Sequence, residues 1–276
     1  MNILNLDRLI EMTLIEDMNN GDITTDNLID ASSVSEAEIM AKEDGVICGL
    51  ELAERIFTFL DGAVKFNRLR KDGDSVKKGD IIAKIQGSTR TILTGERTAL
   101  NFMQRLSGIA TMASRYSERA KGYKARVVDT RKTTPGLRAL EKYAVKTGGA
   151  YNHRFNLSDA VMIKDNHIKA AGGIKEAVEQ IRVKIPHTVK IEVEVEDLEG
   201  LQEALDVNTD IIMLDNMSDE EMKEAVEINN GKAILEASGN ITLERVESVA
   251  QTGVDVISVG ALTHSVKALD ISLNIL

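Results

Sequence analysis

The sequence predicts an α/β protein whose second part forms a parallel α/β barrel. Six short apolar runs follow one another from about residue 125, and helix-forming segments separate them. Strands that alternate with helices indicate βα units and a parallel sheet. Polar or small residues end the runs at successive spacings of 33, 30, 21, 23 and 22 residues, namely Arg131, Lys164, Glu194, Asp215, Ser238 and Gly260. In a barrel these residues would converge on one mouth, so we favour a barrel over an open sheet.

Length and composition limit the class of protein. The chain has 276 residues, which is enough for one large domain or two ordinary ones. Its 34 Lys and Arg against 44 Asp and Glu give a net charge of −10, which argues against non-specific binding of nucleic acid or anionic lipid. The single cysteine, Cys48, excludes an internal disulfide framework and a cysteine-based zinc site. Because the sequence contains neither a signal peptide nor an apolar run of about 18 residues, we expect a soluble, cytoplasmic protein.

The first part of the chain mixes helices with short extended segments. Apolar residues at helical intervals predict an amphipathic helix that ends near Gly21, and LELAERIFTFL predicts another helix. Between them, GDITTDNLI predicts a polar loop, and EAEIMAKEDGVICG predicts extended segments joined by a turn at Asp44 and Gly45. Residues 64–86 alternate β-like runs with turns near Gly73 and Gly79, a pattern that resembles the hairpins of lipoyl and biotinyl carrier domains.

A long helix-forming stretch, TGERTALNFMQRLSGIATMASRYSERA, connects the two parts of the chain. Ser107 and Gly108 predict an interruption of this helix. We place the domain boundary near residue 105, which gives domains of residues 1–105 and 106–276. The interpretation leaves open whether the last residues pack back on the first domain.

Side chains at the predicted mouth indicate an anionic ligand. Four cations would lie at one end of an acidic protein with His153 adjacent to them, and they are Arg131, Lys132, Arg154 and Lys164. Such a set predicts a polyanionic ligand. The alternative is that these charges only cap strands in solvated loops, which is as good an explanation for any one of them but a poorer one for the whole set.

Two further features of the mouth favour a phosphorylated sugar. The carboxylates of Glu194 and Asp215 could hold Mg²⁺ or sugar hydroxyls, since Mg²⁺ commonly takes one or two carboxylates together with phosphate oxygens. The last two strands end in ASGN and SVGAL, where backbone N–H groups can hold a phosphate. Familiar nucleotide motifs are absent: there is no G-x-G-x-x-G, no P-loop around Gly231, and no pair of adjacent aspartates. His167 lacks a second histidine at helical spacing, so we do not favour it as a metal ligand.

These residues resemble a known family. The segment VVDTRKTTPGLRALEKYAVKTGGAYNHRFNLSDAVMIKDNHI is similar to the signature of the quinolinate phosphoribosyltransferases, also called nicotinate-nucleotide pyrophosphorylases (carboxylating). The likeness continues in ERTALNFMQRLSGIAT, IEVEVEDLEG, IIMLDN, LEASGNI and GVDVISVGALTHS, so it covers nearly the whole chain. It implies an N-terminal α/β sandwich domain beside an incomplete parallel α/β barrel. Asn240 departs from the family pattern, because many relatives have glycine at this position.

The resemblance also implies an activity and a set of site residues. The family transfers the phosphoribosyl group of 5-phosphoribosyl-1-diphosphate to quinolinate, requires Mg²⁺, and forms nicotinate mononucleotide, pyrophosphate and CO₂. It implies that Arg131, Arg154 and Lys164 surround the quinolinate carboxylates, with Thr130, Lys132 and His153 in the same site. It implies that Glu194 and Asp215 face the ribose hydroxyls and the metal, and that the 5-phosphate lies at Ser238, Gly239, Asn240, Gly260 and Ala261. Arg97 would reach the pocket of a neighbouring subunit in a homodimer or larger oligomer, and the expected catalytic residues are Lys132, Lys164, Glu194 and Asp215.

Three other functions remain open from the sequence. A phosphoribosyltransferase for nicotinate, or a molybdenum-associated paralogue, would keep the phosphate loops but need fewer cations. A Schiff-base aldolase would use Lys164 as its nucleophile. A non-enzymatic carrier would use the lipoyl-like hairpins, although Lys42 lacks the context of an acceptor lysine.

Overall fold

The structure, a computed structural model, describes residues 3–276, with side chains described from residue 6, and it divides into two compact units. The first unit contains the residues up to Met112 together with Ala139–Gly149 and Val266–Leu276, and the second contains Ala113–Arg138 and Ala150–Ser265. Residues 106–112, 139–149 and 266–276 therefore belong to the first unit, whereas a single division near residue 105 would place them in the second domain. Compactness does not establish where a folding domain ends, so that boundary stays a prediction.

The helices and strands follow one another in a regular order. Up to the long helix they are α1 (Ile3–Met18), α2 (Ile23–Leu28), β1 (Val34–Ala41), β2 (Gly45–Val46), α3 (Leu50–Leu60), β3 (Lys65–Arg68), β4 (Ser75–Val76), β5 (Ile81–Ser88) and α4 (Thr89–Arg119). The remaining elements are β6 (Arg126–Val128), α5 (Arg138–Thr147), β7 (Val161–Ile163), α6 (Asp165–Ala171), α7 (Ile174–Arg182), β8 (Ile191–Val195), α8 (Leu198–Asp206), β9 (Ile211–Asp215), α9 (Asp219–Asn229), β10 (Ile234–Ser238), α10 (Val246–Gln251), β11 (Val256–Ser258), α11 (Ala261–His264) and β12 (Ile271–Ile275).

The first unit is built on an antiparallel sheet with the strand order β12-β1-β5-β3. Alternate residues of β1 (Ala37, Ile39 and Ala41) are fully buried, as expected of a strand with one face against a core. Helix α3 coincides with the predicted LELAERIFTFL segment, and the predicted turns at Gly73 and Gly79 have φ of +94° and +95°. These predictions are confirmed.

The prediction of a polar loop in GDITTDNLI is wrong. Residues 23–28 form α2, because the carboxylate of Asp22 accepts the backbone N–H groups of Thr24 and Thr25 at 3.1 and 3.0 Å. An N-cap of this kind satisfies two of the donors that the start of a helix leaves unpaired. A short polar segment thereby becomes helical without an apolar periodicity.

The predicted interruption of the long helix is also wrong, because α4 runs continuously through Ser107 and Gly108. Gly108 instead allows the backbone of another segment to pack closely against the helix. A Cβ atom at this position would overlap the carbonyl oxygen of Lys267, which belongs to the same unit. The glycine is therefore needed for packing and does not break the helix.

Replacing Gly108 by alanine is expected to lower the free energy of unfolding by about 1–3 kcal/mol, the usual cost of overpacking. The overlap with Lys267 outweighs the better helix propensity of alanine, which favours the change by about 1 kcal/mol. Thermal and urea unfolding would measure the effect. Gly62→Ala is the control, since a Cβ at Gly62 meets nothing within 4 Å. Equal midpoints for the two variants would contradict the packing role of Gly108.

The second unit contains a six-stranded parallel sheet with the order β6-β11-β10-β9-β8-β7. All six strands lie in the runs that the sequence predicts. Among the described residues, β6 and β7 are the two ends of the sheet and do not pair with each other. With the helices that follow the strands, this is the incomplete parallel α/β barrel that the sequence predicts.

Helices cover the outer face of this sheet. Side chains that point outward from the strands are fully buried, for example Val193, Ile212 and Leu214. They lie opposite buried residues spaced three and four apart on the helices, such as Leu201 and Leu205 of α8. The outward-facing side chains thus form the core between sheet and helices, and the inward-facing side chains of the strands are available to form a site. No helix in the part of the chain that the structure describes is long and apolar enough to cross a membrane.

Candidate active site

A cavity of about 400 Å³ lies at the carboxyl ends of the barrel strands. It is lined by Thr130, Arg131, Lys132, His153, Arg154, Met162, Lys164, Glu194, Met213, Asp215, Glu236, Ser238 and Ser258. Lining residues on one strand lie two positions apart, as Met213 and Asp215 do on β9, because alternate side chains of a strand point to the same side. The cavity is thus the interior of the barrel mouth, where barrel enzymes have their active sites.

The structure brings nine of the candidate residues into this cavity: Thr130, Arg131, Lys132, His153, Arg154, Lys164, Glu194, Asp215 and Ser238. Gly239 and Asn240 directly follow β10, and Gly260 and Ala261 stand at the start of α11. A Cβ on Gly260 would lie 3.2 Å from Cδ of Lys132, which places Gly260 beside a cavity residue. Arg97 belongs to the first unit, where its side chain is exposed on α4, and it is not one of the residues that line the cavity. The roles of these residues stay predictions.

Two arginines give the cavity fixed positive charge. The Nη1 group of Arg154 donates to the carbonyl oxygen of Ala160 at 2.8 Å, which holds the guanidinium in place. Burial and the neighbouring Arg131 lower the pKa of Arg154, yet a guanidinium remains charged at any physiological pH. The Nε atom of Arg131 is buried and has no hydrogen-bond partner among the described residues. Because Arg131 lines the cavity, an anion bound there would be positioned to pair with its guanidinium group.

Lys164 and Glu194, at the ends of the neighbouring strands β7 and β8, form an ion pair between Nζ and Oε2. The lysine side chain is 46 % exposed and the glutamate side chain 11 %. The backbone N–H of Lys164 donates to Nδ1 of His167 at 3.0 Å. His167 thus caps the start of α6, which accounts for it without a metal.

His153 is held by two glutamates that the sequence analysis missed. Its Nε2 atom lies 3.3 Å from Oε2 of Glu192 and 3.4 Å from Oε2 of Glu236. Both glutamate side chains are only 3 % exposed. The available signal was the pattern IEVEV, in which Glu192 shares the inward face of β8 with Glu194.

This cluster of His153, Glu192 and Glu236 retains a proton. Burial lowers the pKa of His153, but its hydrogen bonds to the two glutamates raise it more strongly, to about 10. Burial also raises the pKa of Glu192. At neutral pH the three groups together therefore hold one more proton than they would in water.

The backbone orients the His153 ring. The N–H of Arg154 donates to Nδ1 of His153 at 2.8 Å, and Nε2 faces the two glutamates. The additional proton belongs to the cluster as a whole, because the histidine and the glutamates titrate together. The three side chains bring one ligand atom each within 4.8 Å of the others, but a cluster that retains a proton is poorly suited to a metal, whose ligands must be deprotonated. The cluster is a hydrogen-bonded support beneath the cavity.

Comparison with known proteins agrees with this geometry. Residues 22–107 match the family model of the quinolinate phosphoribosyl transferase N-terminal domain, and residues 109–274 match that of the C-terminal domain. A probable nicotinate-nucleotide pyrophosphorylase [carboxylating] of Bacillus subtilis (strain 168) is 46 % identical over 275 residues, which cover 100 % of this chain and 95 % of the relative.

Solved structures give the same result. The crystal structure of NadC from Streptococcus pyogenes has 44 % identity and a TM-score of 0.96, covering 100 % of this chain and 99 % of that one. The nicotinate-nucleotide pyrophosphorylase from Francisella tularensis has 42 % identity and a TM-score of 0.94, covering 99 % and 96 %. These matches confirm the resemblance that the sequence motifs indicate.

Proposed function

The chain belongs to the quinolinate phosphoribosyltransferase family, and we propose that it transfers the phosphoribosyl group of 5-phosphoribosyl-1-diphosphate to the ring nitrogen of quinolinate. The products are nicotinate mononucleotide, pyrophosphate and CO₂, a step in the synthesis of NAD. One observation carries the proposal: four cations, Arg131, Lys132, Arg154 and Lys164, line one cavity together with two carboxylates, Glu194 and Asp215. Cations suit the carboxylates and phosphates of the substrates, and carboxylates suit the ribose.

We assign the quinolinate dianion to the arginine side of the cavity. Two adjacent carboxylates on a rigid ring can occupy two guanidinium groups at once, and such charge-assisted pairs are stronger than neutral hydrogen bonds. The buried, unpaired Nε of Arg131 supports this placement, because a carboxylate there would satisfy it. Thr130, Lys132, His153 and Lys164 complete the proposed binding site. We place the 5-phosphate at the ends of β10 and β11, beside Ser238, Gly239, Asn240, Gly260 and Ala261.

The residues fit a divalent cation that binds together with the substrate. Glu194 and Asp215 lie near the ends of neighbouring parallel strands, and both line the cavity. Two carboxylates with room for water and diphosphate oxygens are the ligand set that Mg²⁺ prefers. When bound, Mg²⁺ would neutralise charge on the departing diphosphate. We therefore propose Glu194 and Asp215 as the protein ligands of Mg²⁺.

The chain's own residues stabilise charge that develops during transfer. As the diphosphate departs, the ribose carbon takes on oxocarbenium character, and the carboxylates of Glu194 and Asp215 stabilise its positive charge. The quinolinate nitrogen then bonds to this carbon and becomes cationic. The carbon–carbon bond to the adjacent carboxylate breaks, CO₂ leaves, and the electron pair stays on a ring carbon, where the positive nitrogen stabilises it until a proton is taken up. Arg131 and Arg154 hold the ring in place throughout.

The alternative functions differ in measurable ways. Nicotinate has a single carboxylate and needs fewer cations than this cavity provides. A Schiff base at Lys164 needs a free amine, whereas the Nζ group of Lys164 is engaged in an ion pair with Glu194. The decisive assay measures CO₂ release from quinolinate with and without 5-phosphoribosyl-1-diphosphate and Mg²⁺, with nicotinate as the competing substrate. Release without the diphosphate, or preferential use of nicotinate, would overturn the proposal.

Asp215→Asn is expected to reduce the rate of transfer by about 10²-fold or more, because it removes a charge beside the ribose while it keeps the side-chain shape. The dependence of the rate on Mg²⁺ concentration should shift to higher values. Asp206→Asn on the exposed surface of α8 is the control and should behave as wild type. An unchanged rate and an unchanged Mg²⁺ dependence in Asp215→Asn would contradict both roles.

We further propose that the enzyme works as a homodimer or larger oligomer with shared active sites, in which Arg97 reaches the pocket of a neighbouring subunit. A cytoplasmic location suits the free thiol of Cys48, because free thiols persist in a reducing compartment.

A further inference from the structure

Asn216 connects two parts of the candidate site. Its backbone N–H donates to the carbonyl oxygen of Ser238 at 3.0 Å. Its Nδ2 group donates to Oδ2 of Asp215 at 2.8 Å, and its Oδ1 accepts from Nδ2 of Asn240 at 3.0 Å. One side chain and one backbone group therefore join the end of β9 to the segment that follows β10.

The direction of these hydrogen bonds follows from their chemistry. An ionised carboxylate only accepts hydrogen bonds, so Asn216 must turn its NH₂ group toward Asp215. Its amide oxygen then faces Asn240, which must present its own NH₂ group. The bonds run in one direction from Asn240 through Asn216 to Asp215.

The backbone holds this arrangement. Asn216 and Asn240 have φ of +58° and +51°, in the left-handed region that asparagine tolerates better than most residues. Gly239 has φ of +86°, and a Cβ on it would overlap the side-chain amide of Asn216. Glycine at position 239 is thus needed both for its backbone conformation and for the close approach of this amide.

We infer that Asn216 is a positioning residue that fixes the Asp215 carboxylate relative to residues 238–240. The identity of the ligand rests on the proposed function, in which Asp215 faces the ribose and residues 238–240 hold the 5-phosphate. The ribose and the 5-phosphate belong to one molecule. The distance from the Asp215 carboxylate to residues 238–240 must therefore match the distance between the ribose hydroxyls and the phosphate in that molecule. Asn216 sets that distance without touching the substrate.

The test is Asn216→Gly, because glycine keeps the left-handed backbone and removes only the amide. Asn230→Gly is the matched control, since Asn230 has φ of +44° at the C-terminus of α9.

Calorimetry without Mg²⁺ measures binding of ribose 5-phosphate and of quinolinate, and steady-state kinetics measures kcat and both KM values. We expect Asn216→Gly to weaken ribose 5-phosphate binding about tenfold, as loss of a hydrogen bond to a charged group does. Asn216→Gly should also raise KM for 5-phosphoribosyl-1-diphosphate and leave quinolinate binding within about twofold. Asn230→Gly should behave as wild type in all of these measurements.

Asn240→Gly tests whether the bonds act in series. It keeps the left-handed backbone and removes the amide that donates to Asn216, so we expect a loss of about two- to threefold in ribose 5-phosphate binding. The double variant should bind ribose 5-phosphate no more weakly than Asn216→Gly alone, because Asn240 acts through the Asn216 amide. Fully additive losses would overturn the series arrangement.

The outcomes separate this inference from the proposed function. Wild-type affinity of Asn216→Gly for ribose 5-phosphate would overturn the positioning role, as would an equal loss of quinolinate affinity, which indicates general damage to the barrel. A wild-type chain that binds ribose 5-phosphate but releases no CO₂ from quinolinate would overturn the proposed function alone, and the binding data would still decide the role of Asn216.

Discussion

Lys164→Ala is expected to reduce quinolinate-dependent CO₂ release by about 10³-fold or more in a protein that stays folded. The substitution removes a cation that lines the cavity, and the same ammonium group is the ion-pair partner of Glu194. Glu194, which is 11 % exposed, also loses the ion-pair partner that orders its carboxylate. Both effects act on the transition state, so kcat should fall more than KM rises.

Stability should change little, because the Lys164 side chain is 46 % exposed and ion pairs of this kind contribute at most about 1 kcal/mol. The control is Lys169→Ala on α6, the helix that Lys164 precedes; Lys169 pairs with Asp165 at 3.4 Å and is 75 % exposed. It should keep wild-type turnover. A folded Lys164→Ala variant with turnover near that of Lys169→Ala would show that Lys164 is not part of the site.

Lys164→Arg separates charge from nucleophilic chemistry. Arginine keeps the positive charge but does not form a Schiff base with a substrate, so measurable activity in this variant supports the binding role. Borohydride trapping of substrate on Lys164 of the wild-type chain would instead support the aldolase alternative.

The strand ends were predictable from sequence because each βα unit repeats the same pattern: an apolar strand, polar residues and then a helix. Each barrel strand contains a short apolar run, and polar residues at its carboxyl end, such as Lys164 after β7 and Asp215 at the end of β9, lie at the mouth. The same logic did not find Glu192 and Glu236, because charged residues inside an apolar strand are uncommon and only their shared face with the mouth residues marks them. Asn216 was missed because its significance depends on Ser238 and Asn240, which the parallel register of β9 and β10 brings beside it.

The two local errors have a related cause. At Gly108 the sequence shows a residue that weakens helices, but the residue is there for the carbonyl of Lys267, more than 150 positions away in the chain. In residues 22–28 a single carboxylate cap decides between loop and helix, and a polar segment carries no periodicity to reveal it. Analysis of local sequence patterns takes no account of contacts between residues distant in the chain or of hydrogen bonds that cap a helix.

Mixing two inactive variants, Arg97→Ala and Lys164→Ala, is expected to restore about a quarter of the wild-type activity. If Arg97 of one subunit completes the partner's cavity, a hybrid dimer has one site with both substitutions and one intact site. Random exchange makes about half of the dimers hybrid, and each hybrid has one good site of two. Each parent alone stays inactive, because every one of its sites lacks one of the two cations.

The control mixes Lys164→Ala with Asp215→Asn, two variants of residues that line the same cavity of one chain. Every site in that hybrid carries one of the substitutions, so no activity near the wild-type level should return. Differently tagged subunits would verify exchange in both mixtures by co-purification. If exchange occurs and the Arg97→Ala mixture stays as inactive as the control, Arg97 acts within its own chain or has no role in the site. Recovery in the Arg97→Ala mixture alone requires that each cavity draw on two subunits, because no arrangement within a single chain gives an intact site.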